Sequence, residues 1–333
     1  MSHVNGRLLN WKKGPNDPRD YKSVRHLDAP ADVPSSYELP FQIPIYDQLD
    51  LGSCTANSGC ACYRFESAQL LGNFNFDPSR LFLYYNTRLL EGTENEDSGA
   101  YIRDVFKALN KYGLAPEVDF PYHTQDFAKK PTTAAYSDGL KNLVVTYAAV
   151  QQVESVIKQT VLTGAAVSFG FNVYSSFMYG SWVYNDPAIM PIPKKSESLL
   201  GGHAVTIIGW DDAKKAFLIQ NSWGTGWGNN GKFWMPYSFV TNNNECDDFW
   251  CIQEIKVEGV DPNPTPGPNP PTPPINIDWV SVSNILFKSA KELWAVRKST
   301  LCRLGTALNV PGIDERRSFK YNYQLVIDYL KLV

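Results

Sequence analysis

The sequence contains few cysteines and no long apolar run, and each shortage excludes a class of protein. Six cysteines in 333 residues are too few for a scaffold that is built on disulfides. No apolar stretch approaches the roughly 18 residues of a membrane span. Residues 1–20 also lack the apolar core of a secretory signal. We therefore expect no membrane partner and, by default, a cytoplasmic location.

The sequence also lacks an excess of basic residues and the cysteine and histidine spacing of a metal site. The formal net charge of −3 gives no basic signature, so we expect no nucleic-acid partner. Cysteines and histidines do not pair at the spacing of a zinc site, and no metal or cofactor is expected. Cys246 and Cys251 could close a short loop in an oxidising compartment, whereas Cys60 and Cys62 are expected to be buried free thiols.

Apolar residues are plentiful, and their periodicity predicts an α+β protein. The hydrophobic fraction is 43%, which suffices for a large core. Helical patterns come first, and strand-like runs with one further helix at 151–163 follow, which favours two halves that face each other. The early helices are predicted over 53–72, 78–91 and 98–112, and the strands over 143–150, 165–171, 203–210, 215–223, 231–235 and 249–256.

Cys54 is the candidate nucleophile, because it follows Gly52 and Ser53 at the start of the first predicted helix. The unpaired N–H groups and the positive end of the macrodipole at a helix N-terminus favour a thiolate. Since the thiolate is the reactive form of cysteine, we expect a lowered pKa for Cys54. The side-chain amide of Gln48, six residues upstream, would add a hydrogen-bond donor near the reacting carbon.

A base and a group that orients it are found in a predicted hairpin. The chain has four histidines, and His203 opens a strand after two glycines. Asn221 ends the next predicted strand, and neighbouring antiparallel strands would bring the two side chains together. An amide oxygen can then hold one imidazole nitrogen while the other faces a thiol. The simpler alternatives are a strand-end histidine satisfied by hydrogen bonds and an asparagine in a turn.

The three blocks resemble the papain-like cysteine peptidases, the C1 family. The residues are Gln48 with Gly52-Ser53-Cys54, then His203-Ala204-Val205, then Asn221-Ser222-Trp223-Gly224, in the family's order. The resemblance covers about residues 40–257 and agrees with the family's distance from cysteine to histidine and asparagine. The stretches DSGAYIRD, PEVDFPY and PNDPRDY are similar to a compact bacterial and viral branch that has a short N-terminal arm.

The resemblance implies a fold, an activity and a set of site residues. The fold would be α+β and two-lobed, with a helical lobe, a β-barrel-like lobe and the active-site cleft between them. The activity would be that of an endopeptidase made as a zymogen, which hydrolyses peptides or proteins through a thiolate–imidazolium pair and a thioester. The implied residues are Cys54, His203 and Asn221 for catalysis, Gln48 and Cys54 for the oxyanion hole, Trp223, Ser222 and Gly52 for support, and Gly99, Ala100, Gly202 and Ala204 for substrate binding.

Departures from the family pattern keep two alternatives open. Thr55 follows the nucleophile where the family usually has Trp, and Leu51 replaces a family cysteine. One alternative is a catalytically silent module that binds without cleaving, and the other is a thiol transpeptidase in which an amine intercepts the thioester.

Composition divides the chain into four parts. Residues 1–39 form an arm rich in Pro and Asp, which either wraps the surface or lies across the cleft as a short inhibitory pro-segment. Residues 40–260 form the peptidase-like domain, residues 261–274 a proline-rich linker, and residues 275–333 a tail of unknown role. We expect a monomer.

Overall fold

The structure is a computed structural model that describes residues 3–257 except 5, 16, 19, 24, 30, 31 and 72–75. The chain divides into two units, one of residues 1–26 and 34–258 and the other of residues 27–33 and 259–333. Of the second unit, only residues 27–29, 32 and 33 are described. The predicted linker and tail at 261–333 lie outside the described residues. All elements below belong to the first unit.

The three predicted early helices are present with slightly shorter bounds. Ser79 caps the second, where its side chain accepts a hydrogen bond from the Phe82 N–H, and Gly113 ends the third. The structure also contains three short helices that periodicity does not predict, over Thr133–Gly139, Ser175–Tyr179 and Tyr237–Val240. None of the helices in the described part of the chain has the length and apolarity needed to cross a bilayer. The helices are α1 Cys54–Leu71, α2 Arg80–Glu91, α3 Ile102–Tyr112, α4 Thr133–Gly139, α5 Glu154–Leu162, α6 Ser175–Tyr179 and α7 Tyr237–Val240.

The strands of the main sheet pair antiparallel in the order β4-β9-β5-β6-β7-β8, and β3 pairs with β6. The predicted α+β class is therefore confirmed. The β-barrel-like lobe is wrong, because the sheet does not close on itself; β4 and β8 are its two ends. The strands are β1 His3–Val4, β2 Arg7–Leu8, β3 Ser36–Glu38, β4 Asn142–Ala149, β5 Val167–Tyr174, β6 Leu199–Asp211, β7 Ala216–Gln220, β8 Lys232–Pro236 and β9 Cys246–Val257.

Helix α1 is the centre of the core, and its first fifteen residues are buried. It packs against α2 and α3 on one side and against β5, β6 and β9 on the other. Gly59 permits close approach to α3, because a Cβ there would lie 2.5 Å from Cγ1 of Val105. The hydroxyl of Ser58 bonds the hydroxyls of Ser168 and Thr206 on the sheet, at 2.7 and 2.8 Å. The start of α1 is thus fixed between helices and sheet.

The other cysteines of the described chain are free, buried thiols. Cys60 and Cys62 lie on α1, as expected. Cys246 and Cys251 both lie on β9 and do not pair. The suggested short disulfide loop is therefore wrong.

Residues 1–26 and 34–39 of the N-terminal arm belong to the first unit and contact the rest of that unit at separate places. Asn10 and Trp11 form isolated bridges with Gly202 and Ala100. Further along, Lys22 bridges Ala149 at the end of β4. The short strand β3 then joins the main sheet beside β6. At these places backbone pairing holds the arm as extended chain.

Candidate active site

Cys54 is the first residue of α1 and is fully buried. Burial raises the pKa of Cys54 to about 11, although backbone hydrogen bonding from Ala204, Thr55 and Asn10 opposes the rise. The predicted lowering is therefore wrong for this state of the molecule. A helix N-terminus favours a thiolate, but here the loss of solvation outweighs it. Asn10 belongs to the arm, so the arm reaches the sulfur.

His203 and Asn221 lie side by side, as the predicted hairpin requires. The strands β6 and β7 pair antiparallel, and Nε2 of His203 lies 2.7 Å from Oδ1 of Asn221. Nδ1 of His203 is buried and makes no hydrogen bond to any described residue. Trp223 stacks on the imidazole with ring centroids 4.8 Å apart. One ring nitrogen is thus fixed by an amide and the other remains available.

Burial also makes the imidazole a weak base. Burial lowers the pKa of His203 to about 4, and the positive charge of Arg7 lowers it further. The hydrogen bond to Asn221 acts in the opposite direction. With a thiol of pKa about 11 and an imidazole of pKa about 4, both groups are uncharged near neutral pH.

Gln48 is buried and connects the loop before α1 to the segment after β7 by hydrogen bonds. Its backbone N–H donates to the carbonyl of Ser222 at 2.8 Å. Its Oε1 accepts a hydrogen bond from the Ser222 hydroxyl at 2.8 Å. Nε2 donates to the carbonyl of Leu51 at 3.0 Å, and an amide nitrogen carries a second hydrogen. That second hydrogen remains for an oxyanion.

Asp97 and Tyr122, which are absent from the predicted site, also hold this loop. Both carboxylate oxygens of Asp97 lie 3.1 Å from the Gly52 N–H. The Tyr122 hydroxyl donates to the carbonyl of Gln48 at 3.0 Å and lies 2.5 Å from the Ser53 hydroxyl. The two residues lie in the stretches DSGAYIRD and PEVDFPY, and the resemblance of these stretches to the family is the sequence signal for them.

Three of the four residues expected to bind substrate, Gly99, Ala100 and Gly202, lie beside Asn10 and Trp11 of the arm. A Cβ on Gly99, which has φ +68°, would fall 1.9 Å from the Asn10 carbonyl oxygen. Ala100 bridges Trp11, and Gly202 accepts a hydrogen bond from the Trp11 N–H at 3.0 Å. Ala204 contacts the sulfur of Cys54 through its backbone, as described above.

Arg7 brings the arm close to the histidine as well. Its guanidinium pairs with Asp47 and lies 5.8 Å from the ring centroid of Trp223. Since Trp223 stacks on His203, a fixed cation lies close to the imidazole. The arm therefore contacts the candidate site on both the cysteine and the histidine side.

A nucleophilic thiol, an amide-oriented imidazole and an amide donor form the set used in acyl transfer through a thioester. The family model of the papain family cysteine proteases matches residues 43–248 of this chain. The chain belongs to the papain family of cysteine proteases. An uncharacterised peptidase C1-like protein of Acanthamoeba polyphaga mimivirus is 39% identical over 248 residues, which are 71% of this chain and 79% of that protein.

Other relatives of this papain-family chain come from bacteria and protists. Xylellain, a cysteine protease of Xylella fastidiosa, has a crystal structure that matches with a TM-score of 0.68 and 36% identity, over 77% of this chain and 98% of that one. Cathepsin B-like CP3 of Giardia intestinalis is 26% identical over 240 residues, 67% of this chain and 73% of that protein. The fold and the family thus agree with the geometry of the site.

Proposed function

We propose that this chain is a cysteine endopeptidase that hydrolyses peptide bonds in peptides or proteins. The observation that carries the proposal is the 2.7 Å contact between His203 Nε2 and Asn221 Oδ1, which leaves Nδ1 available to a thiol. The backbone of the next residue, Ala204, lies close enough to the Cys54 sulfur to act against the rise in the pKa of the thiol. The base and the nucleophile are thereby held on adjacent parts of one site.

In the proposed reaction, the sulfur of Cys54 attacks the peptide carbonyl carbon after its proton passes to Nδ1 of His203. The carbonyl oxygen becomes an oxyanion that accepts hydrogen bonds from the Cys54 N–H and from Nε2 of Gln48. His203 returns the proton to the leaving amine, and the C–N bond breaks to give a thioester. Water, deprotonated by His203, then hydrolyses the thioester and restores the thiol. Asn221 keeps the imidazole oriented throughout.

The N-terminal arm keeps this enzyme inactive in our proposal, as an inhibitor built into the chain. Asn10 and Trp11 bridge Gly202 and Ala100, the positions that the resemblance assigns to substrate. The arm also disfavours the protonated imidazole, because the positive charge of Arg7 lowers the pKa of His203. When the arm leaves, renewed solvation lowers the pKa of Cys54 and raises that of His203. The thiolate–imidazolium pair then becomes accessible.

An irreversible thiol probe tests the proposal on the intact chain. We define the loosened chain as the intact chain with Arg7→Ala and Trp11→Ala, which removes two arm side chains that contact the site. At pH 6 an epoxide probe should label the loosened chain at Cys54 faster than the unmodified chain, and the loosened chain should cleave peptides. Cys54→Ala in the same background is the control.

A folded loosened chain that neither reacts nor cleaves would favour the silent binding module over a peptidase. Product analysis with an added amine would reveal transfer in place of hydrolysis.

A further inference from the structure

Arg80, the first residue of α2, holds its guanidinium over two aromatic rings. Its Cζ lies 3.8 Å from the ring centroid of Tyr122 and 4.7 Å from that of Tyr46. The rings attract the cation, and packing against their faces limits its rotation. The guanidinium is therefore held in one orientation, with its donors in fixed directions.

One nitrogen of this guanidinium connects the segment of Gln48 to the helix of Cys54. Nη1 of Arg80 donates to the carbonyl of Asp47 at 3.0 Å and to Oδ1 of Asn57 at 3.3 Å. Asp47 directly precedes Gln48. Asn57 is buried in the first turn of α1, which Cys54 begins. Arg80 thus joins the two parts of the chain that carry the proposed oxyanion donors.

Asn57 extends this connection to the backbone N–H of Cys54. Its Nδ2 donates to the carbonyl and to the hydroxyl of Ser53, at 2.9 and 3.0 Å. The Ser53 carbonyl and the Cys54 N–H belong to one planar peptide unit. A hydrogen bond that fixes the carbonyl therefore also fixes the direction of the N–H.

The other branch fixes the peptide unit from which the Gln48 side chain departs. This unit contains the Asp47 carbonyl, which accepts from Arg80, and the Gln48 N–H, which donates to the carbonyl of Ser222 at 2.8 Å. The unit is thus bonded to α2 at one end and to the segment after β7 at the other. The direction of Nε2 of Gln48 depends on both bonds.

We propose that Arg80 is a positioning residue of the oxyanion hole. It sets the relative direction of the two donors, the Cys54 N–H and Nε2 of Gln48, and it acts through its hydrogen-bond partners rather than on the substrate. The inference rests on the proposed function, because an oxyanion forms only if Cys54 attacks a carbonyl. Since Arg80 belongs to α2 and not to the arm, it does this after the arm has left.

Peptide cleavage by the loosened chain tests the proposal. Arg80→Met keeps an unbranched side chain over the rings and removes the donors and the charge. We expect kcat to fall about 10- to 100-fold, less than the loss of an oxyanion donor itself causes. KM should stay within about twofold, because the lost interaction matters only in the transition state. Arg80→Lys, which keeps the charge without the fork of donors, should lose less.

The matched control is Arg64, which lies on α1 and pairs with Asp77 at 3.2 Å. Arg64→Met removes the same charge and the same donors from a different place. It should leave kcat of the loosened chain within about twofold of the parent, as expected for a substitution outside the site.

Two reagents separate the oxyanion hole from the thiol. With a peptide aldehyde, the Cys54 sulfur bonds the carbonyl carbon and the thiol proton passes to the carbonyl oxygen, which then lies among the oxyanion donors. With iodoacetamide, the sulfur displaces iodide from a saturated carbon and no oxyanion forms. Arg80→Met should weaken aldehyde binding at least about tenfold, and the rate of Cys54 alkylation should stay within about twofold.

The possible failures are distinguishable. If folded Arg80→Met keeps the parent's kcat and aldehyde affinity, or if aldehyde affinity and alkylation fall alike, the assignment of Arg80 is wrong while the peptidase stands. If Arg80→Met does not fold, Arg80→Lys decides, and unchanged kcat and aldehyde affinity in it overturn the assignment. If the folded loosened chain cleaves no peptide and its Cys54 resists the epoxide probe, both the proposed function and the role of Arg80 are overturned.

Discussion

The two sides of the candidate site are held by different kinds of interaction. On the helical side, the loop of residues 47–53 has one backbone bridge to the segment after β7 and otherwise depends on side chains, among them the Asp97 carboxylate and the Tyr122 hydroxyl. On the sheet side, His203 lies within the paired strand β6, and Asn221 directly follows β7. A backbone ladder positions residues whatever their side chains, whereas a loop held by side chains changes when one of them is lost. Substitutions should therefore act differently on the two sides.

Substitution of the two reacting groups should cause the largest losses of activity. We expect the loss to be equal for Cys54 on the helical side and His203 on the sheet side. In the loosened chain we expect Cys54→Ala and His203→Ala each to reduce kcat/KM by about 10⁴-fold or more, because nucleophile and base act as a unit. Peptide cleavage measures this. Cys60→Ala, at a second buried thiol of α1, should retain activity. Substantial cleavage by the Cys54→Ala variant would contradict the assignment.

Asn221→Ala should have a smaller effect, since it removes an orienting hydrogen bond and leaves the base in place. We expect a loss of about 10- to 100-fold in kcat/KM for the loosened chain, the range for a buried hydrogen bond to a group that becomes charged. The same peptide assay applies. A loss as large as that of His203→Ala would mean that the β6 ladder does not hold the imidazole by itself.

Tyr122→Phe tests the dependence of the helical side on side chains. Loss of the hydroxyl that joins Gln48 and Ser53 should lower the free energy of unfolding by about 1–3 kcal/mol and also lower kcat/KM of the loosened chain. Tyr136→Phe is a matched control, because its hydroxyl lies 2.8 Å from Oδ1 of Asn86, away from the site. Tyr136→Phe should lower the free energy of unfolding and leave kcat/KM unchanged. Equal losses of kcat/KM in the two variants would contradict a specific role of Tyr122 at the site.

Thr206→Val tests the sheet side and should have the smallest effect. The substitution removes the hydroxyl that bonds Ser58 at 2.8 Å, but Ser58 keeps Ser168 and the carbonyl of Val205 as partners. We expect a loss of at most about 1 kcal/mol in the free energy of unfolding and kcat/KM within about twofold of the parent. A large kinetic loss would show that side chains position this side too.

Periodicity and motif order predict the parts of the fold that depend on local sequence. The helical pattern over 98–112 predicts α3, and the hairpin of β6 and β7 brings His203 to Asn221. The three-residue strand β3 has too few residues for any period to show, and only its register with β6 reveals it. An open sheet cannot be told from a barrel by strand patterns, because closure depends on how distant strands pair.

Protonation was the least predictable property of the site. A cysteine at a helix start indicates a thiolate only when solvent reaches it. Contacts of Asn10 with Cys54 and of Arg7 near His203 join segments more than 40 residues apart, which no local pattern contains. The same applies to Asp97 and Tyr122, each a single residue in a loop.

The rate of labelling of Cys54 by the epoxide probe, in the unmodified and the loosened chain, tests the central claim most directly. Burial raises the pKa of Cys54 and lowers that of His203, so uncovering should move the thiol pKa down and the imidazole pKa up. The account predicts labelling of the loosened chain at pH 6 that is at least about tenfold faster, from a more reactive thiolate population. Equal rates in two folded proteins would contradict it.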